Sequence, residues 1–225
     1  MFLTKIELDP ARRLARKYLG SPQVMHAVIM KAAGSPPEAG TGRVLWRIDH
    51  GAVTSLYLMT PTVPDCEQIV AEAGVPGGQA RSLDYSPFLG RLEEGQVWAF
   101  RLTANPSRAV PRGPGTRGKL QGHVTVEQQR KWLIDRAPGY GFELLPAGDD
   151  ESESLVTVVR RGRPVFGRYN PQQGRREQVT INRTVYEGLM RVTSPEALRG
   201  ALVEGVGRSK AYGCGLMTLA RPRQG

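Results

Sequence analysis

The sequence predicts an α+β protein in which an antiparallel sheet with helices on one face is built twice along one chain. Three observations carry this. Short alternating or β-branched runs and helix-forming runs follow each other in the order β-α-β-β-α-β, and that order occurs twice in 225 residues. The helical runs open on Ser, Thr or Asp, and Asp9, Ser21 and Ser194 are each followed by Pro. Turns rich in Gly and Pro separate the runs.

The first copy begins with Phe2–Leu8, which alternates as a strand does. Asp9-Pro10 is read as a helix start, with Ala11–Leu19 helical and Gly20 ending it. Ser21-Pro22 opens a second helix through Met25, Val28, Ile29 and Ala32, stopped by Gly34-Ser35-Pro36-Pro37. Val44–Asp49 and Val53–Met59 form a hairpin around His50-Gly51. Asp65–Ala73 is a short helix, Ala80–Tyr85 an edge strand and Pro87–Gly95 a connector.

The second copy begins with the strand Val97–Ala104, ended by Asn105-Pro106. Ser107–Gly122 is read as a loop from its Gly, Pro and Arg content. Thr125 caps a helix to Ala137, on which Trp132 and Leu133 mark the apolar face, and Gly141–Leu145 is a strand. Gly148–Glu153 is an acidic turn. Leu155–Arg160 and Gln178–Val192 are strands separated by a basic insertion. Ser194-Pro195 opens a helix to Val203, and a Gly-rich loop leads to the strand Leu216–Ala220. These orders fit two ferredoxin-like (RRM-like) βαββαβ domains in tandem, residues 1–90 and 95–225. Many unrelated activities use this fold, so function rests on particular residues.

Composition narrows the choice. Net charge is +10, and it is unevenly placed. Residues 155–225 hold 13 Lys or Arg against 4 Asp or Glu, whereas residues 1–154 are nearly balanced. A basic block of this kind is the footprint of a nucleic-acid partner. No run of about 18 apolar residues is present, so no transmembrane helix is expected. The N-terminal segment reads as a strand and not as a signal peptide. The two cysteines, Cys66 and Cys214, are far apart in sequence, as in a reduced cytoplasmic protein.

The motifs divide into decoys and candidates. Gly113–Leu120 imitates a phosphate-binding P-loop, but Leu120 stands where a magnesium-binding Ser or Thr is required. Gly205-Val-Gly207 fails the dinucleotide pattern, because Lys210 replaces the third glycine. His26, His50 and His123 lack zinc-ligand spacing, so neither a metal nor a cofactor is expected. His50 reads as a turn residue, and His123 as a ligand contact or nothing. His26, on the second helix, is either a partly buried structural histidine or the acid–base group of a metal-free RNA cleavage. Imidazole titrates near neutrality, and only RNA carries the 2′-OH that can attack its own phosphate.

Two cationic stretches complete the set. Arg160, Arg161 and Arg163 lead a run that continues to Arg168, Arg175, Arg176 and Arg183, suited to an RNA stem or guanine edges. The Gly-rich loop, with Gly205, Gly207, Gly213 and Gly215, carries Arg208 and Lys210. Its backbone amides are read as a concave anion site.

Together these residues resemble the CasE family, the type I-E CRISPR repeat-processing endoribonucleases. The shared features are Phe2-Leu-Thr-Lys-Ile with Asp9-Pro10, Met25-His26, and Phe100-Arg-Leu-Thr-Ala-Asn-Pro106. Gln129-Arg-Lys-Trp-Leu133 with Gly141-Phe142, Tyr186-Glu-Gly188 and Gly205–Leu216 complete them, in order and over nearly the whole chain. The resemblance implies tandem ferredoxin-like domains that bind the repeat hairpin of precursor CRISPR RNA. It implies a metal-independent cut at the 3′ base of the stem, leaving a 2′,3′-cyclic phosphate. It further implies retention on the guide RNA as a subunit of the Cascade surveillance complex. His26 takes the place of the catalytic histidine, Arg160 and Arg161 that of the stem-binding strand end, and Gly205–Gly215 that of the loop near the RNA. Lys31 is a candidate phosphate contact on the same helix. One position departs: Gln23 stands where some members carry a tyrosine that assists catalysis, and Tyr18 lies earlier. The alternative is a non-catalytic hairpin-binding subunit of a ribonucleoprotein. The sequence does not choose between RNA and a neighbouring subunit as the partner of Ser107–Gly122.

Overall fold

The computed structural model describes residues 1–34, 42–111, 113, 119–146, 155–170 and 174–222. The first half runs β1 (Phe2–Leu8), α1 (Arg13–Gly20), α2 (Pro22–Ala33), β2 (Leu45–Asp49), β3 (Thr54–Thr60), α3 (Glu67–Ala73), β4 (Arg81–Asp84) and α4 (Ser86–Gly90). Its sheet has the order β2-β3-β1-β4, antiparallel throughout. The second half opens with β5 (Val97–Ala104), β6 (Ser107–Val110), β7 (Lys119–Gly122), α5 (Val126–Ile134) and β8 (Phe142–Leu145). It continues through β9 (Thr157–Gly162), β10 (Val165–Asn170), β11 (Arg175–Thr180), β12 (Arg183–Val192), α6 (Pro195–Glu204) and β13 (Met217–Ala220). The main sheet is β13-β5-β12-β8, with β9 pairing the other end of β12. Taking the strands of each half in chain order, both sheets follow the ferredoxin-like arrangement of two βαββαβ units, as the sequence predicts.

Strand alternation explains how the halves join. On β1 to β3, Ile6, Leu8, Trp46, Leu56 and Leu58 face α1 to α3 and form one core with Tyr18, Met25 and Ile29. The intervening residues Leu45 and Met59 point the other way, into the core built by Phe100, Leu102, Trp132, Tyr186 and Leu216. A period of two thus sends one face of the first sheet to its own helices and the other to the second half. Arg47 lies on that second face, 2% exposed. It pairs with Asp49 through Nε and Nη2, both at 2.8 Å. It also donates to the carbonyls of Arg101 at 2.8 Å and Leu216 at 3.2 Å, and to Thr218 Oγ1 at 2.9 Å. One guanidinium fastens β2 to β5 and β13.

Four expectations are corrected. Asp9 does not cap α1. Its Oδ1 accepts from Ala11 N at 2.9 Å in a turn, while its own N–H is tied to Ala73 O, and the helix starts at Arg13. The connector after residue 86 contains α4. Ser107–Gly122 is not merely a loop: its ends pair as β6 and β7 from Ser107↔Gly122 to Val110↔Lys119. Gln178–Val192 is two strands. Buried Ile181 and the bond from Asn182 N to Asn105 Oδ1 at 3.2 Å break the run, so that β10–β11 forms a separate hairpin. Most of the P-loop imitation, the acidic turn Gly148–Glu153 and Ser35–Pro37 lie outside the described residues.

The helix caps at Ser21, Thr125 and Ser194 form as read. Thr125 and Gln128 make a full capping box. Both cysteines are free and buried, and burial pushes the Cys66 thiol up to about 11 and Cys214 up to about 12, which leaves them unreactive. No helix among the described residues is long and apolar enough to cross a membrane.

Candidate functional site

His26 owes its place to the register of α2. Ser21 Oγ accepts from Val24 N and starts the helix, and Met25, Ile29 and Ala32 turn into the first core. The residue after Met25 is about 100° further round, which brings His26 against the Gly-rich loop. Its ring meets Tyr212 edge-on, with centroids 6.4 Å apart and planes at 66°. Nδ1 is sealed from solvent and has no hydrogen-bond partner, as has Gln23 Oε1 one turn earlier. Nε2 is therefore the nitrogen left for a ligand. Tyr18 belongs elsewhere: it is buried in the first core and its hydroxyl donates to Glu72.

The Gly-rich loop is a bracket between the halves. A Cβ on Gly213 would stand 2.7 Å from the Trp46 ring, and one on Gly205 would stand 2.8 Å from Leu45 Cδ2. Both residues have φ near +80°, so glycine is needed twice over. Trp46 Nε1 donates to Ala211 O at 3.3 Å and Arg183 Nη2 to Tyr212 O at 3.1 Å. Ser209, at φ 63°, is held by Asn105 Nδ2 at 2.8 Å. The amides of Gly205, Val206, Gly207, Tyr212 and Gly215 donate to Ala201 O, Gly215 O, the Tyr140 hydroxyl, Ser209 O and Thr103 O. These five amides are satisfied within the protein and are not offered to an anion. The cationic character of the loop comes from exposed Arg208 and half-buried Lys210. Burial lowers the Lys210 pKa, and neighbouring Arg43 lowers it further against Glu204.

Arg160, Arg161 and Arg163 are exposed and close together on β9 and the turn after it. Two adjoining clefts share Arg161, Gly162 and Arg183. One adds His50 and Arg160, and the other adds His123, Arg163 and Asn182. Arg161 Nη2 donates to Val124 O, which aims it across the second cleft. The sequence shows Arg183 only as one member of a basic run. In space it is central, lining both clefts and bonding the loop that carries Tyr212. His50, the expected turn residue, also gains a place in the cleft through the β2–β3 turn. Lys31 is exposed on α2, about 7.5 Å of helix rise beyond His26. Among the described residues, no three His, Cys, Asp or Glu side chains gather as a metal site.

Burial lowers the pKa of His26 below 6.5, and it lowers those of His50 and His123 in the same direction, with nearby Arg charges adding to the effect at the latter two. The unfolded chain then binds more protons than the folded one just below pH 6.5. Stability is full above that pH and is lost as the pH falls through the folded values. Urea midpoints measured from pH 8 downward are expected to stay level to about 6.5 and then decline, less steeply in His26→Ala.

Two ferredoxin-like units, a basic cleft across their junction and a half-buried histidine against the loop that Arg183 of that cleft bonds define a nucleic-acid-binding protein of the tandem ferredoxin-like class. Residues 1–221 match the family model described as CRISPR associated protein. The chain is 31% identical over 223 residues to the CRISPR-associated endoribonuclease Cse3 of Thermus thermophilus, a match that covers 98% of this chain and 100% of that protein. The chain belongs to this CRISPR-associated family, the CasE family of the sequence resemblance. A structure of CRISPR endoribonuclease Cse3 bound to a 19-nucleotide RNA matches with a TM-score of 0.78 and 30% identity, over 98% of this chain and 100% of that one. Thermus thermophilus Cse3 bound to an RNA representing a pre-cleavage complex matches with a TM-score of 0.72 and 28% identity, over 97% and 98%.

Proposed function

We propose that the protein is an endoribonuclease that binds the repeat hairpin of precursor CRISPR RNA and cuts it at the 3′ base of the stem without a metal. The observation that carries this is His26: one ring nitrogen is sealed, the other is open, and the ring abuts a loop bonded to the Arg183 cleft. Membership of a family that includes a CRISPR endoribonuclease supports the same reading. The clefts hold the RNA through Arg160, Arg161, Arg163 and Arg183, with Arg208, Lys210 and Lys31 as further phosphate contacts. Residues 1–90 act as the domain that supplies the histidine, and residues 95–225 as the domain that supplies the basic hairpin and the loop. The protein works in the cytoplasm and stays on its product as a Cascade subunit.

In the reaction the ribose 2′-oxygen attacks the adjacent phosphorus as its proton leaves to a base. The P–O5′ bond breaks, and the 5′-oxygen takes a proton from an acid. The products are a 2′,3′-cyclic phosphate and a 5′-hydroxyl. His26 Nε2 moves one of these protons. A pKa below 6.5 keeps the imidazole neutral at pH 7, the form a base requires. The cations of the cleft offset the added charge on the phosphate.

The test of the binding half is Arg161→Ala against a 2′-deoxy repeat hairpin that cannot be cut. The dissociation constant is expected to rise about 5- to 30-fold. The slope of log K against log salt should lose somewhat under one unit. An unchanged slope with unchanged affinity would remove Arg161 from the RNA-binding surface.

A further inference from the structure

Tyr212 is the one aromatic residue of the Gly-rich loop, and it touches two other rings. The first is His26, edge-on at 6.4 Å. The second is Phe166 of the β10–β11 hairpin, with centroids 4.8 Å apart and planes at 63°. The three rings come from three parts of the chain: the helix α2, the loop, and the hairpin next to the basic clefts.

This contact matters because of what His26 lacks. The orientation of an acid–base histidine is commonly fixed by a hydrogen bond on its second nitrogen. Here Nδ1 is buried and unpaired, so no such bond sets the ring. Packing has to set it instead, and Tyr212 is suited to do so because its own backbone is immobilised. Arg183 bonds its carbonyl, Trp46 bonds the carbonyl of Ala211, and Gly213 lies tight against the Trp46 ring.

We propose that Tyr212 is a positioning residue for the proposed cleavage. Its ring, backed by Phe166, holds the His26 imidazole with Nε2 toward the scissile phosphate. The same contact ties the seating of the basic hairpin to the catalytic helix, because Phe166 packs on the Tyr212 ring. The ring does this work and the hydroxyl does not. Gln23 has no ring to share the task, and its amide oxygen is itself unpaired. The proposal rests on the endoribonuclease reading.

The experiment compares wild type, Tyr212→Phe, Tyr212→Leu, Phe166→Leu and His26→Ala in single-turnover cleavage of the repeat hairpin. Affinity for the 2′-deoxy hairpin and the NMR titration of the His26 imidazole in free protein are measured alongside. Tyr212→Phe is expected to keep the rate within about twofold. Tyr212→Leu should lower it about 10- to 100-fold, the scale of a misplaced catalytic group, with affinity unchanged. Phe166→Leu should fall between them. The His26 pKa should move up toward 6.5 in Tyr212→Leu, as water reaches the ring. Equal damage from Tyr212→Phe and Tyr212→Leu overturns the proposal in favour of the hydroxyl. A wild-type rate in Tyr212→Leu, or a loss confined to affinity, overturns it as well. The titration separates this failure from that of the cleavage reading. If the wild type does not cut, a His26 pKa that ignores Tyr212→Leu still sinks the positioning role, whereas cutting by His26→Ala sinks the cleavage reading alone.

Discussion

His26→Ala is expected to slow single-turnover cleavage of the repeat hairpin by about 10²- to 10⁴-fold, the contribution of one acid–base group. Affinity for the hairpin should stay within about twofold, since the cations that hold a phosphate backbone lie in the clefts and not on His26. The substitution also removes a half-buried imidazole with an unpaired nitrogen, so thermal stability should change little. Rate constants and dissociation constants measured on the same preparation read both effects. A loss of binding that matched the loss of rate would make His26 a contact residue, and the non-catalytic hairpin binder would then be the better account.

Arg47→Ala has the largest expected effect on stability. The side chain is 2% exposed and places a charge at the junction of the two sheets, where Asp49 and the acceptors on β5 and β13 satisfy it. Truncating one partner of a buried, hydrogen-bonded ion pair costs about 3–5 kcal/mol, because the other partner keeps its desolvation without its bond. Asp49 retains Arg101 Nε at 3.3 Å, which points to the lower end of that range. For a chain of this size the loss corresponds to a fall in Tm of roughly 6–15 °C. Arg47→Lys should recover only part of it, since an ammonium cannot present the same fork to Asp49. Denaturant melts of the two variants test this, and an Arg47→Ala midpoint at the wild-type value would mean that the halves are held by their apolar contacts alone. Because Arg47 aligns β2, and Trp46 on β2 bears on the loop beside His26, the variant should also cleave more slowly than its folded fraction predicts.

The architecture was legible in the sequence because its signals are local. Alternation in Phe2–Leu8 and Val97–Ala104, the Ser21-Pro22 and Ser194-Pro195 caps, and the His50-Gly51 turn each act within a few residues. Errors arose where distant contacts decide the outcome. Ser107–Val110 pairs with a strand that lies beyond a Gly- and Pro-rich stretch of sequence, which composition hides. The break at Ile181–Asn182 is enforced by Asn105, at the end of the neighbouring strand β5 and 77 residues away in sequence. Asp9 has the composition of a cap, but its backbone is claimed by Ala73.

The site shows the same division. His26 stood out because few residues in the chain titrate near neutrality. The Gly-rich loop stood out by composition, but its packing between the halves is visible only in space. Its glycines approach Leu45, Trp46 and Trp132 closely, and the amides of Gly205, Gly207 and Gly215 are bonded within the protein. Tyr212 and Arg183 gain their importance only in space. Tyr212 is 186 residues from His26, and no spacing rule links them. The one sequence signal at that place is a lone aromatic within a Gly-rich loop.

The central claim is metal-independent attack by the RNA on itself with His26 moving a proton. The most direct measurement incubates the wild type with two versions of the repeat hairpin in EDTA, one all-ribose and one with a single 2′-deoxy sugar at the scissile position. The account predicts one cut at the 3′ base of the ribose stem, ending in a 2′,3′-cyclic phosphate, and tight binding without any cut of the deoxy hairpin. Equal cutting of both hairpins, or binding of both with no cut in either, would contradict it.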